Sequence, residues 1–292
     1  MWSPLPGWWL ALGSMESSGL LNWTVNGPGL DTATLSRPFA GGSRILLRFP
    51  SPDLLPLLSP PAAAPALALL TQPPEPGRPP QQVIAGLWLF APSRESQGGS
   101  SWLLEGWAYG GDGDLLVDCP GYTQANLEML QRRSLQVGPG TIVLTSREGH
   151  GRCRRFQEAI GWPVLVQEQE AYLLPGVRQC TSFAAEHSLA PGVKLLWTPG
   201  PTPGACVLHV GAGALDGLFC GRLLVPTGPA ALAPLPTART FHWLRQLRSL
   251  ELLSGWLPAG SPAWIASGGG LGALRGEKLV TGGAALLASL DL

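Results

Sequence analysis

WTPGPTPGACVLHV, residues 197–210, is the most informative stretch of this sequence. It places a turn with two Pro-Gly pairs directly before ACVLHV (205–210), an apolar run that is typical of a buried strand. The glycines permit backbone angles and close approaches that other residues resist, and the prolines stiffen the turn. A turn of this kind next to a buried strand normally aims one side chain at a site.

The segments on either side of this turn continue a pattern of strands and helices. Strands are predicted at VKLLWTPG (193–200) and GLFCGRLLV (217–225), and TFHWLRQLRSLELL (240–253) predicts an amphipathic helix with basic residues on one face. A last strand is predicted at PAWIASGGG (262–270), and a closing helix at GEKLVTGGAALLASL (276–290).

The residues before the turn follow the same scheme. An antiparallel meander is predicted from three apolar runs, VIAGLWLF (83–90), SSWLLEGWAY (100–109) and DLLVDCPG (114–121). A helix with Thr123 as its N-cap follows at 122–133, and then come a buried strand (141–146), a helix closed by a glycine (153–161) and a strand leading into a short helix (163–174). Two such runs of similar size predict an α+β fold, an αββα sandwich of two packed mixed sheets flanked by helices.

A proline-rich stretch separates this patterned region from the start of the chain. Residues 50–80 contain eleven prolines, which predicts an extended linker because proline cannot donate a backbone hydrogen bond. We therefore predict a poorly patterned N-terminal region (1–49), a linker (50–82) and one domain (83–292). Within the first region only SRILLRF (43–49) predicts a strand.

Composition argues against several classes of function. The 292-residue chain has a formal net charge of zero, whereas non-specific nucleic-acid binding needs a basic surface. No apolar run is long enough to span a membrane, and the apolar start lacks the basic residues of a secretory signal. The five cysteines are scattered and predict no disulfide framework, which favours a reducing, cytoplasmic compartment and small buried thiols.

Five motifs in this order resemble the metallo-β-lactamase superfamily over residues 83–292. DLLVDCPGYTQANLEML (114–130) is similar to a strand ending in Asp-x-Gly, and TIVLTSREGHGRCRRF (141–156) takes the place of Thr-His-x-His-x-Asp-His. The opening turn is similar to Thr-Pro-Gly-His-Thr-Pro-Gly-Ser. GLFCGRLLVP (217–226) resembles Leu-Phe-x-Gly-Asp, and WIASGGGLGALRG (264–276) resembles the final Pro-Gly-His-Gly turn.

Three shorter segments are similar to cyanobacterial and plastid members of this superfamily, in which the metal motif is commonly incomplete. They are EQEAYLLPG (168–176), RTFHWLRQ (239–246) and ALRG (273–276). The resemblance implies that a non-standard site is shared within that branch.

The resemblance implies a zinc or iron centre at seven positions, most of which hold residues that cannot bind a metal here. These positions carry Ser146, Glu148, His150, Gly151, Pro201, Arg222 and Gly269. Only Glu148 and His150 offer ordinary ligand atoms, and a catalytic zinc usually needs three protein ligands. Arg222 replaces the bridging aspartate with a permanent positive charge. No cofactor is expected, and an improvised zinc or iron site would need Asp118, Glu148, His150 and a cysteine.

Three functions stay open at this point. The first, which is favoured, is a non-catalytic pseudoenzyme that binds a small molecule or a protein partner. The second is an atypical hydrolase of esters, thioesters or lactones, with Glu148, His150 and Asp118 as candidate catalytic groups. The third is an anion-binding module centred on Arg222, in which Arg239, Arg275 and the backbone of 268–270 could contribute.

The remaining histidines favour structural roles. His187 lies in a polar segment and is predicted to be solvated in a loop. His209 alternates with apolar residues and is predicted to be a satisfied strand histidine. His242, at the start of a predicted helix, could face the entrance of the site and is retained as a candidate ligand-binding residue.

Overall fold

The structure, a computed structural model, describes residues 12–15, 20–25, 33–38 and 74–290. The chain divides into two compact units, Met1–Gln72 and Pro73–Leu292. The first unit contains an antiparallel sheet of β1 (Leu12–Met15), β2 (Leu20–Val25) and β3 (Ala33–Pro38). The strand predicted at 43–49 and the linker up to residue 73 lie outside the described residues.

One mixed sheet of the second unit contains seven strands. Its members are β4 (Gln81–Ile84), β5 (Leu87–Phe90), β6 (Ser101–Leu104), β7 (Leu115–Val117), β8 (Thr141–Leu144), β9 (Val164–Gln167) and β10 (Cys180–Phe183). They lie in the order β10-β9-β8-β7-β6-β5-β4. Neighbours from β4 to β7 are antiparallel, as the predicted meander requires, and those from β7 to β10 are parallel.

A second mixed sheet contains six strands. A separate hairpin follows the fourth of these strands along the chain. The sheet strands are β11 (Glu186–Ala190), β12 (Val193–Trp197), β13 (Cys206–Ala212), β14 (Leu215–Phe219), β17 (Trp264–Ala266) and β18 (Val280–Thr281), in that order. The hairpin pairs β15 (Val225–Gly228) with β16 (Ala231–Ala233). Only β14 and β17 are parallel neighbours in this sheet.

Six helices accompany these sheets. They are α1 (Gly106–Tyr109), α2 (Gln124–Val137), α3 (Cys153–Ile160), α4 (Glu168–Ala171), α5 (Trp243–Trp256) and α6 (Gly283–Ala288). Thr123 caps α2 as predicted, since its hydroxyl accepts from the backbone N–H of Asn126 at 3.4 Å. Gly161 ends α3 in the left-handed conformation. In the described part of the chain, none of these helices combines the length and the apolarity needed to cross a bilayer.

Side chains alternate between faces along each strand, and this alternation builds three buried clusters. Val143 of β8 and Leu208 of β13 lie in the cluster between the two sheets. Their neighbours Ile142 and Val207 point outward instead. The outer face of the first sheet packs on α2 and α3, and that of the second packs on α5 and α6. These layers confirm the predicted αββα sandwich of two mixed sheets between helices.

Glycines break three segments that the sequence predicted to be continuous. The strand predicted at 83–90 is a hairpin of β4 and β5, because Gly86 adopts a φ of 77° between them. The strand predicted at 217–225 ends at β14, before Gly221 turns the chain with a φ of 52°. The closing helix predicted at 276–290 is a strand, β18, and the short helix α6, separated by Gly282.

Two further segments also differ from the prediction. The segment around His187 is a strand, β11, and the imidazole is half-buried with its ring 6.0 Å from that of Phe183. SSWLLEGWAY (100–109) changes from β6 to the single turn of α1 after Leu104. β11 forms through its hairpin pairing with the adjacent strand β12, which the polar character of this segment did not indicate.

Candidate functional site at the sheet edge

The loops that follow β7, β8, β14 and β17 meet at one edge of the sandwich. β7 and β8 are parallel, as are β14 and β17, so the carboxyl ends within each pair lie together. The backbone N–H of Cys206, at the start of β13, donates to the carbonyl of Thr145 at 2.8 Å. This bond joins the two sheets at the edge where the loops meet.

The turn that follows β12 is fixed against the start of α5. Gly200 has a φ of 151°, and a Cβ there would lie 2.4 Å from Cα of Gln246, so only glycine fits. The backbone N–H groups of His242 and Phe241 donate to the carbonyls of Gly200 and Pro201 at 3.0 and 3.1 Å. The turn therefore holds Pro201 rigidly at this edge.

Arg222 and Glu148 form an ion pair at the centre of this edge. Nε of Arg222 lies 2.6 Å from Oε2 of Glu148, and their side chains are 26% and 11% exposed. Nη2 of the same guanidinium donates to the carbonyls of Ser96 and Gln97 at 3.1 and 3.0 Å. A charge-assisted pair that is also bound to backbone carbonyls has a fixed geometry.

A second arginine approaches the same carboxylate from the solvent side. Nη1 of Arg239 lies 3.9 Å from Oε1 of Glu148, and this guanidinium also donates to the side-chain carbonyl of Gln97. Its side chain is 65% exposed. One carboxylate therefore faces two guanidiniums, which leaves a single positive charge in excess.

These three side chains form one wall of a cavity of about 360 Å³, which we call the Arg222 cavity. Its other walls mix apolar and polar groups, namely Pro201, Val225, Leu235, Thr237, Thr240 and Gln246. The Gln246 amide nitrogen donates to the carbonyl of Leu223 at 2.9 Å. Its Oε1 is buried without a hydrogen-bond partner among the described residues. A buried acceptor of this kind favours a ligand or water that can donate to it.

A smaller void lies behind the ion pair, and Glu148 and Arg222 line both spaces. It measures about 10 Å³, roughly the space of one water molecule. Asp118, Thr145 and Ser146 contribute to its wall. The ion pair thus separates the Arg222 cavity from a polar space deeper in the edge.

Asp118 fixes the end of β8 from this deeper space. Its carboxylate accepts from the backbone N–H of Thr145 at 2.7 Å and from the Thr145 hydroxyl at 2.6 Å. Burial raises the pKa of Asp118 to about 6, although both hydrogen bonds and the charge of Arg222 act in the opposite direction. Desolvation is therefore the larger effect at this carboxyl.

His150 lies apart from Glu148, although only one residue separates them. A short 3-10 helix (Arg147–Gly149) turns the chain, and His150 lines neither the Arg222 cavity nor the smaller void. Burial lowers the pKa of its imidazole to about 4, and Nε2 has no hydrogen-bond partner within the described residues. The imidazole is therefore neutral at physiological pH.

The layers match those of solved structures with the metallo-β-lactamase fold. The structure of DIM-1 metallo-β-lactamase exposed to ceftazidime aligns with a TM-score of 0.53 and 16% identity, over 73% of this chain and 94% of that one. The structure of VMB-1 gives a TM-score of 0.53 and 12% identity, over 72% and 92%. This chain has the metallo-β-lactamase fold. No protein-family model and no curated protein matches the sequence.

The donor set at this edge of the metallo-β-lactamase fold does not fit a zinc or iron centre. Glu148 is held by Arg222, and His150 lines neither of the two spaces at this edge. In the part of the chain that the structure describes, no three His, Cys, Asp or Glu side chains are grouped so that they could hold a metal ion. A permanent guanidinium charge at this point would also repel a divalent cation.

The other substituted positions support the same conclusion about the donor set. Ser146 is buried against the smaller void and offers only a hydroxyl. Gly151 has a φ of 45°, and a side chain there would lie 3.3 Å from Cβ of Cys119. Gly269 offers no side-chain ligand, and a Cβ at this position would be in ordinary van der Waals contact, 3.8 Å from the guanidinium carbon of Arg222.

Arg275 and His242 lie apart from the Arg222 cavity walls. Arg275 is exposed at the end of a short 3-10 helix (Leu271–Leu274) and does not line the cavity. His242 caps α5, because its Nδ1 accepts from the backbone N–H of Arg245 at 3.2 Å. Its ring is therefore engaged at the helix terminus, beside the turn that holds Pro201.

The described histidine and cysteine side chains outside the site mostly follow the prediction. His209 is buried on β13, with Nε2 2.7 Å from the hydroxyl of Ser261. Four cysteines are buried, and burial raises the pKa of the Cys119, Cys206 and Cys220 thiols. Cys180 is exposed, so the prediction of small buried thiols is wrong at that position. It starts an edge strand, where one side remains open to solvent.

Sequence reasoning missed several groups that shape the cavity. Gln246 belongs to the quoted segment RTFHWLRQ but was not identified as a site residue. The loop carbonyls of Ser96 and Gln97 bind Arg222 through the backbone, which leaves no residue-type signal. Leu235, Thr237 and Thr240 come from the connection before α5, where the sequence shows no periodic pattern.

Proposed function

We propose that this chain is a binding protein with the metallo-β-lactamase fold, which takes up a small monoanion in the Arg222 cavity and performs no metal-dependent hydrolysis. The observation that supports the proposal most is the 2.6 Å ion pair between Arg222 and Glu148, two positions to which the sequence resemblance assigns metal ligands. The volume of about 360 Å³ lies in the usual range for small-molecule sites.

The charge of the cavity favours an anion with one negative charge. Arg222 is compensated by Glu148, whereas Arg239 is mostly exposed and lies farther from that carboxylate. A carboxylate placed beside Arg239 would receive charge-assisted hydrogen bonds, the stronger class in proteins. A dianion such as phosphate would exceed the available positive charge.

Hydrolysis through Glu148 and His150 is supported less well. A general base needs a free carboxylate or imidazole within reach of the attacking water. Glu148 is engaged by Arg222, and His150 does not line the cavity.

We also propose that the chain works in the cytoplasm, shares its altered site with a cyanobacterial-type branch, and has the domain limits 1–49, 50–82 and 83–292.

Short carboxylates test the proposal directly. Butanoate is expected to stabilise the protein against thermal unfolding in a saturable way, and neutral butanamide is not. Arg239→Gln should weaken butanoate binding about tenfold, the usual value of one hydrogen bond to a charged group. Arg248→Gln, an exposed arginine on α5 outside the cavity wall, is the matched control and should leave binding unchanged.

Two results would contradict this proposal. One is equal stabilisation by butanoate and butanamide, which would mean that charge plays no part. The other is the absence of saturable stabilisation by any small monocarboxylate.

A further inference from the structure

The side chain of Gln246, in the wall of the Arg222 cavity, carries a hydrogen-bond acceptor that its surroundings leave free. Its Nε2 donates to the carbonyl of Leu223 at 2.9 Å, and Leu223 does not line the cavity. This bond sets the orientation of the amide, because an amide oxygen in the place of Nε2 would face another acceptor. Oε1 is therefore the amide atom that remains for the cavity. It is buried and has no hydrogen-bond partner among the described residues.

The two threonines of the same wall already have partners. The hydroxyl of Thr240 accepts from the backbone N–H of Thr237 at 2.8 Å. The hydroxyl of Thr237 accepts from the backbone N–H of Arg239 at 3.2 Å. Among the described neutral side chains of the wall, the amide of Gln246 therefore gains most from a donor on a ligand.

The burial of Gln246 makes this acceptor selective. Its side chain is 1% exposed, so a hydrogen bond to Oε1 would be shielded from water. A buried acceptor without a partner costs free energy, and a ligand that donates to it removes that cost. A ligand without a donor leaves the acceptor unpaired, and sites of this kind discriminate against such analogues. Gln246 thus selects for a hydrogen-bond donor on the ligand.

The charges of the cavity indicate which kind of donor fits. Arg222, Arg239 and Glu148 together leave one positive charge in excess. A carboxylate compensates this excess, whereas a ligand that also carried an ammonium group would restore it. We infer that the ligand is a small hydroxycarboxylate, whose carboxylate lies beside Arg239 and whose hydroxyl donates to Oε1 of Gln246. One small molecule can contact both residues, because both line the same cavity of about 360 Å³.

This inference rests on the proposed function, because it adds a hydroxyl to the monoanion proposed there. The carboxylate alone should bind weakly, since Arg239 is 65% exposed and provides most of its interaction. The hydroxyl should strengthen binding about tenfold, because a hydrogen bond forms and a buried acceptor is no longer unpaired. The gain should depend on which carbon carries the hydroxyl, since the carboxylate and the hydroxyl must reach Arg239 and Gln246 together.

Titration calorimetry on the 292-residue chain tests the inference with 2-, 3- and 4-hydroxybutanoate. Each is compared with the carboxylate in which a methyl group replaces the hydroxyl, namely 2-methylbutanoate, 3-methylbutanoate and pentanoate. The members of a pair have the same charge and similar size, so a difference in affinity reports the hydroxyl. At least one hydroxybutanoate should bind about tenfold more tightly than its methyl analogue.

A substitution of Gln246 tests whether the preference comes from this amide. Gln246→Met keeps a side chain of similar length and replaces the amide with a thioether, a weak acceptor, so it should remove the preference within each pair. Arg239→Gln should instead weaken both members of a pair by a similar factor. Gln169→Met is the matched control, because Gln169 is exposed on α4 and does not line the cavity. It should keep the tenfold preference.

A second measurement needs no variant. The 2-, 3- and 4-methoxybutanoates keep the oxygen atom and lose the donor. They should bind the unaltered chain no more tightly than the methyl analogues do. Binding as tight as that of the hydroxybutanoates would show that the oxygen acts without donating to Gln246, and would overturn the inference.

The failures of the two proposals are distinguishable. Equal affinity within all three pairs would overturn the hydroxycarboxylate inference and leave the monoanion proposal standing. No binding of any carboxylate would overturn both. A preference that survives Gln246→Met would assign the hydroxyl to another acceptor and overturn the inference. Tighter binding of 4-aminobutanoate than of all three hydroxybutanoates would show that the donor is an ammonium group, and would overturn it as well.

Discussion

Replacing Arg222 by methionine is expected to lower the free energy of unfolding by about 3 kcal/mol, because a mostly buried carboxylate would lose its principal partner. Glu148 is 11% exposed and has Arg239 only at 3.9 Å as a second cation. The variant would also remove the donors to the carbonyls of Ser96 and Gln97. Methionine keeps the unbranched apolar stem of the side chain, so the loss reports mainly the guanidinium charge and its hydrogen bonds.

A double-mutant cycle with Glu148→Gln isolates the interaction itself. We expect a coupling energy of about 1–3 kcal/mol between the two positions in urea unfolding, the range for residues in direct contact. The exposed pair of Arg154 and Glu158, with side chains 61% and 48% exposed, provides the control. Its cycle should give no more than about 0.5 kcal/mol. Additive effects at Arg222 and Glu148 would contradict the ion pair.

The free energy of unfolding should stay nearly level between pH 6 and pH 4 because two buried groups have opposite effects. Burial raises the pKa of Asp118 from its ordinary 3.8 to about 6, so the folded state binds this proton more tightly and acidification stabilises it. Burial lowers the pKa of His150 from 6.5 to about 4, so the unfolded state binds that proton more tightly and acidification destabilises the fold.

Single substitutions should expose each effect. Since one pKa unit corresponds to about 1.4 kcal/mol, each group alone changes the free energy of unfolding by about 3 kcal/mol. In the His150→Gln variant, the free energy of unfolding should rise as the pH falls from 6 to 4. In the Asp118→Asn variant, it should decrease over the same pH range. Urea unfolding at several pH values measures both. Parallel pH profiles for the two variants would contradict the assignment.

The sequence predicted the layers because the apolar runs of β8 and β13 are clearly bounded and a glycine marks the end of α3. It failed where one glycine interrupts such a run, as at Gly86 and Gly282, because the apolar pattern continues across the break. The turn at 198–204 was predictable since its Pro-Gly pairs constrain the backbone locally. Strand β11 was not predictable, because its polar sequence lacks an apolar alternation and it forms through hairpin pairing with β12.

The sequence predicted which metal-ligand positions of the site are substituted. It did not predict how the substituted side chains are arranged in space. Residue types alone showed that Pro201, Arg222 and Gly269 offer no ordinary metal ligand. They did not show that Arg222 pairs with Glu148, since those residues come from loops of different sheets. Nor did they show that His150 is separated from Glu148, which follows from the short 3-10 helix between β8 and α3.

The central claim is that an ion pair occupies the position of the metal centre. The metal content of the purified protein tests this claim most directly. Mass spectrometry on protein prepared without added metal should find less than about 0.1 equivalents of zinc, iron or manganese, because too few ligands meet at this edge. Incubation with excess zinc followed by desalting should give the same value. Retention of about one or two equivalents by the 292-residue chain, lost on substitution of Glu148 or His150, would contradict the account.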